Sequence, residues 1–162
     1  MALVLDVTPA ATTANAYATL ADVEAYALTL PVANDWAAAT TEQKNAAIVQ
    51  ATRMMDTLDW TGYRINPLTQ VLQWPRYYSY DREGFPLPVD VIPWQIRNIC
   101  CEFAIRLISD DRAADSGGLA PETVKVGSLD VGQMRRRPIP AFVLEMAREF
   151  LKSGGAARLV RG

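Results

Sequence analysis

The sequence has no histidine in its 162 residues, and this absence removes several classes of catalytic site. A Ser-His-Asp triad or a Cys-His pair cannot be built within the chain, and the commonest protein ligand of zinc is missing. The two cysteines, Cys100 and Cys101, are adjacent, a spacing that suits neither a zinc knuckle nor a C-x-x-C redox pair. We therefore expect buried free thiols, no cofactor, no metal and no enzymatic activity. An enzyme that uses carboxylates alone stays open, because Asp and Glu are plentiful.

Long hydrophobic runs are also missing. The longest apolar stretches are a few residues, far below the roughly 18 that a membrane-spanning helix needs. The first nine residues contain Asp6 and no Lys or Arg, so the basic start of a secretory signal is absent. A chain of 162 residues, half of them apolar, is long enough for one domain with a sizeable core. We expect one domain, no membrane contact and synthesis in a cytoplasm.

Positive charge is scarce in the first part of the chain. Residues 1–90 contain five Lys or Arg and ten Asp or Glu, whereas residues 91–162 contain eleven and eight. The sequence pI near 5.1 argues against a dedicated nucleic-acid binder, which usually has a basic pI. Two interpretations stay open. The acidic part of one molecule pairs with the basic part of a neighbour, or these are ordinary solvated charges.

Capping motifs and helical periodicity predict a mainly α fold, a small bundle of about four helices. Thr19 with Asp22 forms one capping box, and Thr40 with Gln43 forms a second. Pro93 stands where the first residue of another helix should be, a position that tolerates its missing N–H. The first predicted helix follows Thr19 and runs to about Leu30, and a short helical turn is expected at Trp36. The second runs from about Thr41 to Leu58, the third from Pro93 onward, and the fourth from about Ala141 to Lys152.

Residues 59–90 show no periodicity but are dense in aromatic residues and proline. Disordered segments are poor in aromatic residues, so we expect a long loop that is packed down or functional, with Gly84 able to supply a positive φ in a turn. Trp74, Pro75 and Arg76 allow two interpretations. An Arg beside a Trp could stack on a nucleotide base, whereas a Trp in such a loop more often anchors it on the core while the Arg pairs with a carboxylate or carbonyls.

The rest of the chain divides into a short β region and two tails. β-branched residues over 123–131 predict a short strand or hairpin, with a bulge or turn at Gly127 and Ser128. Residues 1–16 are predicted as an N-terminal tail, 17–153 as the single helical domain and 154–162 as a C-terminal docking tail. The candidate partner contacts are basic or apolar residues that flank the last helix, namely Arg135, Arg136, Arg137, Arg158, Leu159, Val160 and Arg161. The three consecutive arginines could equally be part of a solvated loop.

Several short motifs follow one another along most of the chain. They are Tyr17 to Asp22 with Tyr26, Trp36 before Thr41 to Lys44, Gln50 to Arg53 with Asp56 and Leu58, Gln73 to Arg76, Ile92-Pro93, Val124 to Ser128, and Arg158 to Gly162. Each motif is weak by itself, but their shared order resembles that of the head–tail connector, or adaptor, proteins of tailed bacteriophages. The aromatic segment Tyr77 to Phe85 has no counterpart in the resemblance.

The resemblance implies a virion structural protein without enzymatic activity. Such a protein is made in the host cytoplasm and forms a ring of about twelve copies at the head–tail interface, below the portal. Its partners would be further copies of itself, the portal protein and a tail or tail-nozzle protein, while DNA passes through the channel without sequence-specific binding. Members of the family often carry the label of a DnaT-like single-stranded-DNA-binding protein, so a replication protein of that kind is the alternative function.

The C-terminal tail yields a direct prediction. Gly154 and Gly155 end the last helix, and the residues after them place an apolar pair between two arginines, a segment suited to docking on a partner. Deleting residues 156–162 should leave the melting temperature nearly unchanged, because surface tails seldom alter stability by more than about 0.5 kcal/mol. The same deletion should weaken or abolish connector assembly and the yield of infectious particles. Normal particle yields, or a truncated protein that unfolds, would contradict this assignment of the tail.

Overall fold

The computed structural model describes residues 3–109 and 139–152, together with the backbone of two short strands, Lys125–Val126 and Leu129–Asp130. Candidate contact residues Arg135 to Arg137 and Arg158 to Arg161 lie outside the described residues, as does the predicted docking tail. Within the described part, no helix is long and apolar enough to cross a membrane. That part also contains no cluster of acidic, Cys or His side chains that could hold a metal ion.

The fold is mainly helical, as the sequence predicts. Its helices are α1 (Leu20–Ala27), α2 (Asn34–Ala38), α3 (Thr41–Met55), α4 (Trp94–Ser109) and α5 (Ala141–Ala147), and a 3-10 turn over Arg148–Phe150 follows α5. Both predicted capping boxes are present. The Thr19 hydroxyl accepts from the backbone N–H of Asp22 before α1, and the Thr40 hydroxyl accepts from that of Gln43 before α3.

Helix α4 is the centre of the bundle and packs against α1, α2, α3 and α5. Its apolar stripe makes it the most buried element, and α3 supplies the facing layer. The fully buried side chains of these two helices include Ile48, Ala51 and Met55 of α3 and Ile96, Ile99, Cys100 and Phe103 of α4. Both cysteines are buried and free, and burial raises the pKa of the Cys100 thiol to about 11. Their thiols are core side chains rather than reactive groups.

Three helices end earlier than their sequence pattern predicts: α1 at Ala27, α3 at Met55 instead of Leu58, and α5 at Ala147. After Ala27, the backbone N–H groups of Thr29 and Leu30 donate to carbonyls three residues back, so α1 tightens into turns ahead of Pro31. Helix α5 likewise gives way to the 3-10 turn instead of continuing to Lys152. Apolar periodicity marks the buried face through such turns, and it therefore overestimates helix length.

Two pairs of very short strands complete the structure. Lys125–Val126 (β3) pairs antiparallel with Leu129–Asp130 (β4), which confirms the hairpin predicted near residues 123–131. Within the long loop, Tyr63–Arg64 (β1) pairs antiparallel with Arg76–Tyr77 (β2). The sequence did not predict this second pair, because two residues per strand are too few for a period to be visible.

The segment predicted as an N-terminal tail differs from the structure. Residues 3–16 pack against the helices, with Ala14 and Ala16 buried and Leu5 and Val7 lying on the core. Asp6 organises this segment, because its backbone carbonyl accepts from the N–H groups of Asn15 and Ala16. Backbone hydrogen bonds of this kind leave no hydrophobic period in the sequence, so the pattern predicts a tail where the structure has an ordered irregular segment.

Candidate interaction site: the loop from Trp60 to Leu87

The long loop is attached to the helices through Trp74. This side chain is fully buried and meets the rings of Trp60 and Phe150 edge-on, with centroid separations of 5.5 and 6.3 Å. The Trp74–Pro75 peptide bond is cis. Trp60 follows α3 and Phe150 follows α5, so Trp74 fastens the loop to the ends of two helices.

Arg76 lies inside the loop and is 7% exposed. Its guanidinium donates to the carbonyl oxygens of Thr61 at 2.6 Å and Gly62 at 2.7 Å, and to the side-chain oxygen of Gln73 at 2.8 Å. Burial lowers the pKa of Arg76, but the carbonyls solvate the cation in place of water. With its donors directed at the backbone, Arg76 cannot present its plane to a nucleotide base. The structure therefore gives Trp74 and Arg76 internal contacts, and the base-stacking interpretation has no exposed surface at this pair.

A buried hydroxyl group joins the loop to α3. The Tyr17 hydroxyl donates to the Asp56 carboxylate at the end of α3 and accepts the backbone N–H groups of Gln73 at 3.0 Å and Trp74 at 3.1 Å. Burial raises the pKa of Tyr17 well above its ordinary value, and the Asp56 charge raises it further. Burial also raises the pKa of Asp56, to about 6, although the hydrogen bond from Tyr17 acts in the opposite direction. Tyr17 belongs to the N-terminal segment, so this one group connects three parts of the chain.

The outer side of the loop carries an exposed aromatic surface. Tyr63 and Tyr78 meet edge-on at 6.0 Å, and Tyr77 lies 6.4 Å from Tyr78. Tyr63 and Tyr78 are each about 70% exposed. We call Tyr63, Tyr77 and Tyr78 the tyrosine face.

The backbone under the tyrosine face has two unusual residues. Gly62 has a φ of +70°, and a Cβ atom there would lie 1.9 Å from the carbonyl oxygen of Tyr77, so only glycine allows this close approach. Tyr78 has a φ of +58°, the left-handed region that costs a non-glycine residue about 1–2 kcal/mol. Gly84, at +86°, supplies the positive φ predicted for its turn. A strained backbone beneath an exposed aromatic side chain is typical of a functional surface.

The positive charges of the described surface are largely engaged. Carboxylates pair with Lys44, Arg82, Arg97, Arg106, Arg148 and Lys152. Arg64 and Arg76 donate to backbone carbonyls instead. The two arginines that adjoin the tyrosine face in sequence, Arg64 and Arg76, are therefore both directed at backbone carbonyls.

The sequence predicts the position of the long loop, but it does not predict which of the aromatic residues in the loop are buried and which are exposed. The density of aromatic residues showed that the segment is packed or functional, yet nothing in its pattern separates the buried Trp60 and Trp74 from the exposed tyrosines. The role of Tyr17 was missed as well, because its partners lie 39 and more residues away in the sequence.

A protein-family model described as "Putative DnaT-like ssDNA binding protein" matches residues 1–162. The chain belongs to this family. Comparison with curated proteins gave no match, and comparison with solved structures gave none either. The match to the family model includes the residues of the loop and of the tyrosine face.

Removing the Tyr17 hydroxyl tests whether it holds the loop. Tyr17→Phe leaves the N–H groups of Gln73 and Trp74 and the Asp56 carboxyl without this partner, so the free energy of unfolding should fall by about 2–3 kcal/mol. Tyr63→Phe is the matched control, the same chemical change on an exposed ring, and should alter it by less than about 0.5 kcal/mol. Denaturant unfolding measures both, and equal losses in the two variants would contradict the role given to Tyr17.

Asp56 yields a prediction about pH. Its pKa of about 6 in the folded protein exceeds its ordinary value of 3.8, so between these values the folded state holds a proton that the unfolded state has released. The contribution of Asp56 to stability is therefore greatest below pH 4 and falls as the pH rises to 6. Between about pH 4 and about pH 7 the wild type should lose on the order of 2 kcal/mol more than Asp56→Asn. Parallel stability curves for the two proteins would show that Asp56 titrates normally.

Proposed function

We propose that this protein is a non-enzymatic virion structural protein, a head–tail connector of a tailed bacteriophage, which works through contacts with other proteins. The order of its sequence motifs supports the proposal. The structural observation that carries it is an exposed tyrosine face whose neighbouring cations are already engaged. Tyrosine is enriched in protein interfaces, where its ring supplies contact area and its hydroxyl a hydrogen bond.

Charge is the reason to prefer a protein partner for this surface. Binding to a nucleic-acid backbone requires cations that are free to neutralise phosphates. Arg76 is buried among carbonyls, and Arg64 donates to the Gln70 carbonyl at 2.8 Å. A protein surface of mixed polarity needs no such excess of positive charge.

In this proposal the chain acts at the head–tail interface of the virion. About twelve copies form a ring that contacts the portal protein on one side and a tail or tail-nozzle protein on the other, and the ring lines the channel through which DNA leaves. The contacts to those partners would come from several surfaces, including the basic residues 135–137 and the C-terminal residues 158–161.

Single-stranded-DNA binding is the second candidate function, and the description of the family favours it over the first. Exposed aromatic rings can stack with successive bases, and the tyrosine face offers three such rings. In this candidate function, Tyr63 and Tyr78 contact the bases, because Trp74 and Arg76 are buried.

Electron microscopy of phage particles that contain this protein tests the first candidate. The expected result is a ring of this chain directly below the portal. A different protein at that position, with this chain elsewhere or absent, would refute the proposal. Co-purification with the portal protein should give the same assembly, because the portal can act as the template on which the ring closes.

Fluorescence anisotropy with a labelled single strand separates the two candidates. At about 0.15 M salt the connector function predicts only non-specific binding, with a Kd of roughly 10⁻⁴ to 10⁻⁶ M. Submicromolar binding that is lost in Tyr63→Ala and Tyr78→Ala would establish the second candidate instead. Phe142→Ala, which removes a half-exposed ring from α5, is the control and should leave the affinity unchanged.

A further inference from the structure

A groove lies between α2, α3 and the end of α4, and it shares no lining residue with the tyrosine face. Its buried lining is apolar and includes Ala47, Val49 and Leu107, and Leu3 of the N-terminal segment also lines it. The groove has a volume of about 890 Å³, within the range of about 300–1,000 Å³ that is usual for ligand sites. It is therefore large enough to take side chains of a short peptide segment. We call it the α3 groove.

The exposed lining of the α3 groove does not select an occupant by charge. Among the described residues that line it, Asp35 supplies a carboxylate and Arg53 a guanidinium, so a strongly charged segment of either sign would meet repulsion as well as attraction. Ala38 and Ala46 are also exposed there, and their short side chains leave room for larger apolar ones. The occupant that fits is therefore a short segment with apolar side chains.

The described chain ends close to the C-terminal end of α3. The backbone N–H of Lys152 donates to the Asp59 carbonyl oxygen at 2.8 Å, and Leu151 forms a β-bridge with Trp60. Asp59 follows the end of α3 by a few residues, and α3 lines the groove as far as Arg53. The docking tail, residues 154–162, therefore starts near the helix that lines the groove.

Length and composition make the docking tail a suitable occupant of the α3 groove. Its large apolar residues are Leu159 and Val160, and Leu159 is the seventh residue after Lys152. At about 3.3–3.6 Å per extended residue, seven residues span up to about 25 Å. That reach is enough for the apolar pair to leave its own subunit and enter the groove of a copy packed beside it.

Residues 110–138 fit the α3 groove less well, although they follow Ser109 at its edge. The first eight of them, 110–117, contain three Asp, one Arg and no apolar side chain larger than that of alanine. Placing such residues on an apolar lining would remove polar groups from water without a partner. The chain therefore offers Leu159 and Val160 as the better occupant.

We propose that Leu159 and Val160 of one copy dock in the α3 groove of a neighbouring copy, as a contact between adjacent subunits of a ring. This inference rests on the proposed connector function. Tail and groove are unlike surfaces of identical subunits, which is the kind of contact that joins copies head to tail. The proposal leaves the two flanking arginines, Arg158 and Arg161, to contacts with the portal or the tail protein.

A docked tail loses conformational entropy, so one such contact between two free copies should be weak. Copies that are already held side by side on the portal meet at a high effective concentration, and the same contact then becomes favourable. The docking of the tail should therefore accompany assembly and should be missing from the dilute free protein.

Photocrosslinking in the assembled connector tests the contact. Leu159→p-benzoylphenylalanine is incorporated into isotopically light copies, a minority of these is mixed with heavy wild-type copies on the portal, and crosslinked peptides are identified by mass spectrometry. The expected product joins position 159 of a light copy to a heavy peptide from α3 or from the end of α4. Leu68→p-benzoylphenylalanine, at a 97% exposed position in the loop, is the control and should not give this product.

The other outcomes each overturn the contact. Crosslinks from position 159 to the portal, to a tail protein or to DNA alone would assign the apolar pair to that partner, while a ring seen below the portal would leave the connector function standing. Crosslinks to the groove within light copies alone would place the tail in its own subunit. Assembled rings without any crosslink to the groove would also refute the contact. Copies that never assemble on the portal would overturn the contact and the connector function together.

Ala46→Trp fills the α3 groove and gives a second readout. Ala46 is exposed, so the larger ring should change the melting temperature by less than about 4 °C, whereas ring assembly should weaken at least tenfold. Val160→Ser, on the docking tail, should weaken assembly similarly. Ala25→Trp makes the same change at an exposed position of α1 outside the groove and should alter neither property. Assembly of Ala46→Trp at wild-type strength would refute the role of the groove.

Discussion

The Tyr17 hydroxyl group is the point at which the N-terminal segment, the end of α3 and the aromatic loop meet. It donates to the Asp56 carboxylate and accepts hydrogen bonds from the backbone N–H groups of Gln73 and Trp74. Tyr17 and Trp74 are buried and Asp56 and Gln73 are partly buried, so these groups depend on one another for hydrogen bonds, and the loss of one leaves several unsatisfied. The position of Trp74, and with it the path of the loop, follows from this constraint.

The aromatic residues on the inner side of the loop stabilise the fold, and those on the outer side are available to a partner. Trp60 and Trp74 bury their rings against the helices, and the buried Arg76 fills the interior with donors for carbonyls that the short strands leave unpaired. With the inner side fixed in this way, the outer side can carry Tyr63 and Tyr78 in an exposed and partly strained arrangement. A rigid base under exposed aromatic rings lowers the entropy that is lost when a partner binds.

The sequence predicts those features that depend on neighbouring residues. The capping boxes at Thr19 and Thr40 and the helix start at Pro93 are local signals, and the structure contains helices at all three. Features that depend on distant partners were not predictable in the same way. The order in residues 3–16 comes from Asp6 and from packing on helices far along the chain, and the direction of each aromatic ring in the loop comes from tertiary contacts. Hydrophobic periodicity predicts neither the order of residues 3–16 nor the direction of these rings.

Hydroxyl-radical footprinting of the free protein and of the connector assembled on the portal tests the central claim, that a loop fixed from within presents the tyrosine face to a protein partner. Tyr63 and Tyr78 should be oxidised readily in the free protein and become protected in the assembly, while Trp74 stays protected in both. Unchanged oxidation of the two tyrosines on assembly, or ready oxidation of Trp74 in the free protein, would contradict it.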